Sequence, residues 1–152
     1  MNWDEYYMSI AEAVAKKSKD PSTQVGCILV SSDNRIVSAG YNGFIRGCDE
    51  KYMTFEKPAK DMITVHAEMN ALIFAKCDLT GARAYMTHAS CENCLKHLLQ
   101  AGVREIVYKN FDTNGHFMTA ERKDWIARLL KSTNAIYRNI NGKTFFDEIG
   151  EK

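Results

Sequence analysis

Four residues near the middle of the chain constrain its fold most, because a metal site would require them to meet. His66 and Glu68 form a His-x-Glu pair, and Cys91 and Cys94 form a later Cys-x-x-Cys pair. One imidazole and two thiolates can hold a zinc ion and leave its fourth position open to water. A carboxylate two residues after the histidine can carry protons beside that water. The fold must therefore bring two separate segments to one point.

Each pair alone has a simpler interpretation. Cys-x-x-Cys also occurs in redox pairs and in structural zinc sites, and His-x-Glu arises by chance. A closed structural site would need a fourth ligand, for which His88, His97 and Cys77 are candidates. A structural site has no use for an acid such as Glu68, so the combination favours a catalytic zinc ion.

The composition predicts one globular domain, residues 1–152. Hydrophobic residues make up 45% of the chain, and 20 basic against 19 acidic residues give a formal net charge of +1. Such a balance gives no basic field for binding polymeric nucleic acid. We expect neither a signal peptide nor a membrane partner, since no apolar run approaches the roughly 20 residues of a membrane span. Five cysteines, an odd number, favour metal use in a reducing cytoplasm.

The hydrophobic pattern predicts an initial helix, a hairpin, and then alternating helices and strands. The predicted helices are residues 2–19, 63–76, 91–101 and 118–132. The predicted strands are residues 25–31, 35–39, 83–87, 105–108 and 135–140. Residues 40–43 and 110–115 are predicted loops, and residues 44–61 form one long, irregular connection. Thr64 is a candidate N-cap of the second helix.

This order predicts an α/β fold with a five-stranded mixed sheet between two helical layers. Strand 25–31 is apolar on both faces, which is typical of a central strand. The sheet should be antiparallel at the hairpin and parallel where helices cross over. If the two strand-to-helix connections are adjacent, the helix N-termini that carry His66 and Cys91 should lie at the same end of the sheet. Helix N-termini lower thiol pKa values and so assist ligation.

At these residues the chain resembles the zinc-dependent cytidine and deoxycytidylate deaminases, whose signature is His-x-Glu followed by Pro-Cys-x-x-Cys. One position departs, since Ser90 stands where the signature has proline. Residues 19–26, 40–43, 66–71 and 100–103 resemble deoxycytidylate deaminases in particular. The resemblance implies a cytidine deaminase-like three-layer α/β/α fold.

The resemblance also implies an activity, the hydrolytic deamination of dCMP to dUMP and ammonia. His66, Cys91 and Cys94 would then bind zinc, and Glu68 would carry protons. Some members hold a second zinc in the long connection, but Cys48 is the only cysteine there, so we expect one zinc per chain. A homo-oligomer is implied, expected to be a hexamer, with dCTP as activator and dTTP as inhibitor. Mg²⁺ could accompany an effector triphosphate.

Further candidate residues follow from positions matched to the family. Those expected to contact the base and sugar are Thr23, Asn42, Ala67, Thr87, Ala89 and Ser90. Their positive charge and predicted positions on loops or strand ends make Arg46, Lys109 and His116 candidates, as a group, for the 5′-phosphate, although each alone is more typical of a solvated surface side chain. Those expected at an effector site are Gly40, Tyr41, Asn42, Gly43, Lys19 and Asp20. Asn42 also suits a turn between two glycines, and the lysines suit a solvated helix end.

Two other functions share these residues. A different base deaminase, acting on cytidine, guanine or adenosine in tRNA, would use the same zinc ligands. The small net charge counts against tRNA, whose binding usually needs a basic surface. A non-catalytic nucleotide sensor is the second alternative, and Glu68 counts against it.

Overall fold

The computed structural model describes residues 1–112 and 115–151. Its helices within those ranges are α1 (Trp3–Ala15), α2 (Ala59–Ile63), α3 (Ala67–Phe74), α4 (Glu92–Gln100), α5 (Ala120–Thr133) and α6 (Phe145–Glu148). Its strands are β1 (Gly26–Val30), β2 (Ile36–Tyr41), β3 (Arg83–His88), β4 (Glu105–Asn110) and β5 (Ile136–Asn139). A short 3₁₀ helix, Glu50–Tyr52, lies between β2 and α2. No helix in the described ranges is both long and apolar enough to cross a bilayer.

The strands form one mixed sheet in the order β2-β1-β3-β4-β5. β1 pairs antiparallel with both β2 and β3, whereas the β3–β4 and β4–β5 pairs are parallel. Every residue of β1 is buried, because this strand is paired at both edges and covered on both faces. The predicted five-stranded mixed sheet is confirmed.

Alternating residues of β1 face two separate cores. Ile28 and Val30 pack with Tyr7, Met8 and Ala11 of α1. α1 thus forms one outer layer of the molecule, with its buried face packed on the sheet.

The opposite face of the sheet carries Cys27 and Leu29. These residues belong to a larger core with Ala71 of α3, Leu98 of α4 and Ile126 of α5. Three helices therefore cover this face, and the expected three-layer α/β/α arrangement is confirmed.

The single helix predicted for residues 63–76 is wrong, because the chain leaves the helical conformation at Thr64 and Val65. Thr64 is the C-cap of α2, not an N-cap. The Val65 N–H donates to the Gly43 carbonyl at 2.7 Å, and the Gly43 N–H donates to the Val65 carbonyl at 3.1 Å. This pairing holds the segment extended, so His66 becomes the N-cap of α3.

The loop predicted for residues 40–43 begins later than expected. Gly40 and Tyr41 are the last residues of β2. A Cβ atom at Gly40 would lie 2.4 Å from the Ala67 carbonyl oxygen and 2.5 Å from the Ala71 nitrogen. Glycine here therefore allows α3 to pack directly on the strand, and the close approach is to helix backbone.

The C-terminal part differs from expectation at two places. β4 continues to Asn110, and residues 113 and 114 of the predicted loop lie outside the described residues. α6 was not predicted, although Thr144 and Asp147 form a capping box at its start. The spacing of a threonine and an acid three residues later was the available signal.

Candidate active site

The starts of α3 and α4 lie at the same end of the sheet. α3 follows β2 and α4 follows β3, and both strands are antiparallel to β1. The two strands therefore point the same way, and their carboxyl ends define the edge where α/β proteins commonly bind ligands. His66 caps α3 and Cys91 caps α4, with Cys94 in the first turn of α4.

The three predicted metal ligands come together at this edge. His66 Nδ1 lies 3.2 Å from Cys94 Sγ and 3.7 Å from Cys91 Sγ, and all three ligand atoms lie within 4.8 Å of one another. Tetrahedral zinc, with Zn–S of ~2.3 Å and Zn–N of ~2.0 Å, separates its ligand atoms by roughly 3.5 to 3.8 Å. The donor set and its spacing thus fit zinc, and three protein ligands leave one position open.

The two cysteines differ in their tendency to ionise. A hydrogen bond from Cys94 and another from His66 lower the pKa of the Cys91 thiol, against the effect of its burial. The Cys94 backbone N–H also donates to Cys91 Sγ at 3.4 Å. The hydrogen bond to Cys91, together with burial, raises the pKa of the Cys94 thiol. A bound cation would favour the thiolate form of both.

Glu68 lies beside the three ligands in the first turn of α3 and is only 4% exposed. Burial raises the pKa of its carboxyl group, and a hydrogen bond from Ser90 offsets part of that rise. The Ser90 Oγ donates to Glu68 Oε2 at 2.8 Å. A buried carboxyl group of this kind is a candidate for accepting and returning a proton during a reaction.

Ser90 itself is completely buried and is tied to β5 through Tyr137. The Ser90 N–H donates to the Tyr137 hydroxyl oxygen, and that hydroxyl donates to the Ser90 carbonyl at 3.2 Å. No sequence pattern pointed to Tyr137, which lies 47 residues from Ser90 along the chain. The structure places Ser90 behind Glu68, away from the cavity lining.

A cavity of about 200 Å³ opens in front of the metal ligands. Four residues expected to contact the substrate line it, namely Thr23, Asn42, Ala67 and Ala89. Sequence reasoning missed other lining residues, which include Lys57, Lys60, His88, Asn110, Phe111 and Phe117. Thr87 is buried beneath them, where its Oγ1 accepts a hydrogen bond from the Gly26 N–H at 3.1 Å.

The three residues expected at the 5′-phosphate are not among those that line this cavity. Lys109 forms an ion pair with Glu12 of α1 at 2.7 Å. The Arg46 guanidinium lies 5.0 Å from the Phe74 ring centroid, and His116 is exposed outside the cavity lining. The structure brings two other cations, Lys57 and Lys60, to the cavity.

One wall of the cavity is the segment between α1 and β1. The buried Asp20 accepts a hydrogen bond from the Ser22 N–H at 2.8 Å and pairs with Lys60 at 2.6 Å. Burial would raise the pKa of Asp20, but the Lys60 and Ser22 hydrogen bonds lower it overall. Asn42 also stabilises this segment, because its Oδ1 accepts a hydrogen bond from the Val25 N–H at 2.9 Å.

Phe117 also lines the cavity and is held by contacts to both its ring and its backbone. The Arg122 guanidinium lies 4.4 Å from the Phe117 ring centroid, and Arg122 Nη1 donates to the Phe117 carbonyl at 2.8 Å. Arg122 also pairs at 2.6 Å with Glu92, the residue after Cys91. The Asp112 carboxylate accepts a hydrogen bond from the Phe117 N–H at 3.1 Å.

A second cavity, of about 650 Å³, lies on the other side of Asn42. It is lined by five of the six residues expected at an effector site, Lys19, Gly40, Tyr41, Asn42 and Gly43. The sixth, Asp20, lines the first cavity. Asn42 lines both cavities and is therefore a direct physical link between them.

Comparison with known protein families gives an independent result. The family model described as "Cytidine and deoxycytidylate deaminase zinc-binding region" matches residues 1–110. The chain is 40% identical over 120 residues to a "Probable deoxycytidylate deaminase" of Drosophila melanogaster, covering 71% of this chain and 59% of the relative. It is 35% identical over 115 residues to the deoxycytidylate deaminase of Homo sapiens, covering 71% and 65%. The chain thus spans less than two thirds of the length of these two relatives.

A solved structure resembles the whole fold. The dCMP deaminase from the cyanophage S-TIM5, in complex with dCMP and dUMP, superposes with a TM-score of 0.67 at 26% sequence identity. The match covers 88% of this chain and 94% of the cyanophage chain. The similarity therefore extends over the sheet and both helical layers.

Proposed function

The chain belongs to the cytidine and deoxycytidylate deaminase family, and from this premise we propose that it deaminates dCMP hydrolytically to dUMP and ammonia. The observation that carries the proposal is the His66–Cys91–Cys94 cluster with the buried Glu68 beside it. Zinc, when bound there, supplies a positive charge that activates a water molecule and stabilises developing negative charge.

Glu68 moves the protons in the proposed reaction. It takes a proton from the attacking water and delivers it to N3 of the cytosine ring. Water adds at C4, the C4–N4 bond breaks, and Glu68 assists the departure of ammonia by proton transfer. Its burial suits this role, because a raised pKa lets the carboxyl group alternate between its two protonation states.

The cavity lining supports a nucleotide substrate. Ala67 and Ala89 lie next to the ligands, where backbone groups could read the pyrimidine edge, and Thr23 and Asn42 lie on the wall expected to meet base and sugar. Lys57 and Lys60 are the cationic side chains we assign to the 5′-phosphate side. The named activity of the Drosophila and human relatives, and the dCMP complex of the cyanophage enzyme, favour dCMP.

An assay with the zinc-loaded protein tests this proposal. dCMP, deoxycytidine and dCTP are supplied separately, and products are identified by chromatography. We expect dUMP from dCMP, with much slower turnover of the nucleoside. Preferred turnover of cytidine or of a tRNA adenosine would indicate a different base deaminase. Nucleotide binding without any product would indicate a sensor.

Regulation is part of the same proposal. We assign the second cavity to a nucleoside triphosphate, with dCTP as activator and dTTP as inhibitor, accompanied by Mg²⁺. Asn42 supports this assignment, since it lines both cavities and fastens the segment before β1. Adding each triphosphate to the dCMP assay, with and without Mg²⁺, should raise or lower turnover accordingly.

We further propose that the protein assembles as a homo-oligomer, with a hexamer as the expected form, in the cytoplasm. Exposed apolar side chains beside the second cavity, Tyr41, Ile45, Ile73 and Phe74, suit an interface between copies. A reducing compartment is needed to keep Cys91 and Cys94 available as ligands. Analytical ultracentrifugation would determine the oligomeric state.

A further inference from the structure

We propose that Ser90 is a positioning residue for the reaction, acting through Glu68. Ser90 stands where the family signature has proline, and its side chain makes a contact that proline could not make. The inference rests on the proposed deamination, because it concerns the acid that moves protons in that reaction.

The hydroxyl group of Ser90 has one proton to donate, and its surroundings direct that proton to Glu68. Ser90 Oγ lies 2.8 Å from Glu68 Oε2 and 2.8 Å from Met86 Sδ. A carboxylate oxygen is a much stronger acceptor than a thioether sulfur. Ser90 is 0% exposed and Glu68 is 4% exposed, so bulk water has little access to replace this bond.

The donor is itself held rigidly. The Tyr137 hydroxyl bonds to both the N–H and the carbonyl of Ser90. Tyr137 is buried, stacks on Phe145 at 5.4 Å and meets Tyr108 edge-on at 5.1 Å between ring centroids. This series of contacts, from the aromatic cluster through Ser90 to Glu68, restricts the Glu68 carboxylate to few orientations.

A proline at this position would remove two of these contacts. Proline has no backbone N–H to donate to Tyr137 and no hydroxyl group to donate to Glu68. The Ser90–Tyr137 pair therefore fixes the turn before Cys91 by hydrogen bonds in place of a ring. It also adds a donor that prepares Glu68 for proton transfer, since a group already oriented needs no reorganisation during the reaction.

Three variants test the proposal. Ser90→Ala removes the hydroxyl group, and Ser90→Cys keeps nearly the same volume with a poor donor. Ser38→Ala is the matched control, because the Ser38 hydroxyl donates to the Ala71 carbonyl of the same helix α3 at 2.6 Å. Steady-state kinetics with dCMP and zinc content are measured for each.

We expect both Ser90 variants to lose about tenfold or more in kcat, with KM for dCMP within about twofold of wild type. Zinc content should stay at the wild-type value, and Ser38→Ala should keep its kcat. A kcat within about twofold of wild type in either zinc-loaded Ser90 variant would overturn the proposal. A raised KM with unchanged kcat would do the same, since it would indicate substrate contact.

A double-mutant cycle separates positioning from a general structural effect. In a Glu68→Asp background the shortened carboxylate no longer reaches Ser90, so Ser90→Ala should have little further effect on kcat. An equal loss in both backgrounds would contradict the inference.

A structural readout covers the case in which the proposed function fails. Wild-type protein that forms no dUMP would overturn the proposed activity and leave this contact to be tested directly. Crystal structures of the wild type and Ser90→Ala should then show one Glu68 carboxylate orientation in the first and several in the second. One unchanged orientation in both would overturn the role of Ser90.

Discussion

Two buried acids line the same cavity, and their partners give them opposite properties. The pKa of Glu68 is raised because burial outweighs the hydrogen bond from Ser90 and the effect of the nearby His66. The pKa of Asp20 is lowered because Lys60 and several donors near Ser22 outweigh its burial. Burial alone therefore does not decide which acid carries protons; the number and charge of its partners do.

Glu68→Gln should lower kcat by about 10² to 10⁴-fold, because the amide can no longer exchange a proton with water and substrate. Zinc binding and dCMP affinity should be preserved, since Glu68 does not ligate the metal. Turnover, metal content and calorimetric binding of dCMP are the measurements. A variant that kept most of its activity would exclude Glu68 as the proton carrier.

Asp20→Asn should lower the free energy of unfolding at pH 7 by roughly 3 kcal/mol, because it leaves the half-buried Lys60 without its counter-charge. The lowered pKa of Asp20 gives stability above its unfolded-state pKa that is lost as pH falls through the folded-state value. The difference between wild type and variant should therefore shrink below roughly pH 4. Urea unfolding at several pH values measures it.

An exposed ion pair provides the control for this experiment. Asp33 pairs with Arg35 at 3.1 Å, and both side chains are largely exposed. Asp33→Asn should change the free energy of unfolding by less than about 1 kcal/mol at any pH. An equal effect of the two substitutions would mean that burial of the Asp20 pair has no energetic importance.

Among the secondary-structure elements, the close packing of α3 on β2 determines where the site residues lie. α3 carries Glu68 and is capped by His66, and Gly40 allows its backbone to lie directly on the strand. A change in that packing would move a ligand and the acid together. The site therefore depends on a glycine that is outside the lining of the cavity in front of the metal ligands.

Gly40→Ala should destabilise the fold by about 1 to 3 kcal/mol and lower kcat. The new Cβ atom would overlap backbone atoms of α3, which can move away only if the helix shifts. Gly43→Ala is the matched control, since a Cβ there meets nothing within 4 Å. Thermal unfolding and dCMP turnover are measured for both. Equal stability of the two variants would contradict this account of Gly40.

The start of α5 contributes to the cavity through Arg122. Arg122→Ala should raise KM for dCMP by about 3- to 10-fold. The reason is that Phe117 would lose the guanidinium group beside its ring and the hydrogen bond that Arg122 donates to its carbonyl. Arg128→Ala removes a similar pair of contacts from the same helix, to Asp124 and Trp125, and none of these three residues lines the cavity. Unchanged KM in Arg122→Ala, or equal changes in both variants, would exclude this role.

For the molecule as a whole, the metal would link two helical segments that are already joined by packing and by the hydrogen bond from Ser90 to Glu68. Ligands for it come from the starts of α3 and α4. A ligand that binds only the folded state raises its stability, so bound zinc should stabilise the entire fold. The site is therefore part of the structural core as well as of the proposed chemistry.

Zinc removal by a chelator should lower Tm by roughly 5 °C or more and abolish turnover, and both should return when zinc is restored. Metal analysis should find one zinc per chain. Cys91→Ala should lose the metal, whereas Cys77→Ala, which alters an exposed free thiol, should retain it. Two zinc ions per chain would contradict the predicted stoichiometry.

The amino-acid sequence alone was enough to predict the five-stranded mixed sheet and to single out His66, Glu68, Cys91 and Cys94, which the structure brings together. The sheet follows from local periodicity and from the pairing rules of strands, and the four residues follow from their chemistry and their spacing along the chain. The boundaries at Thr64 and Gly40 were wrong because Val65 and α3 make tertiary contacts that override local preference.

The other side chains of the site could not be predicted, because they come from elements that are distant along the chain. Lys57, Lys60 and Phe117 reach the cavity, and Tyr137 reaches Ser90, because separate elements converge there. Arg46 and Lys109 have suitable charges but lie on other surfaces. Spacing along a chain specifies neighbours within one element, whereas neighbours from different elements depend on how the layers stack and in which register the strands pair.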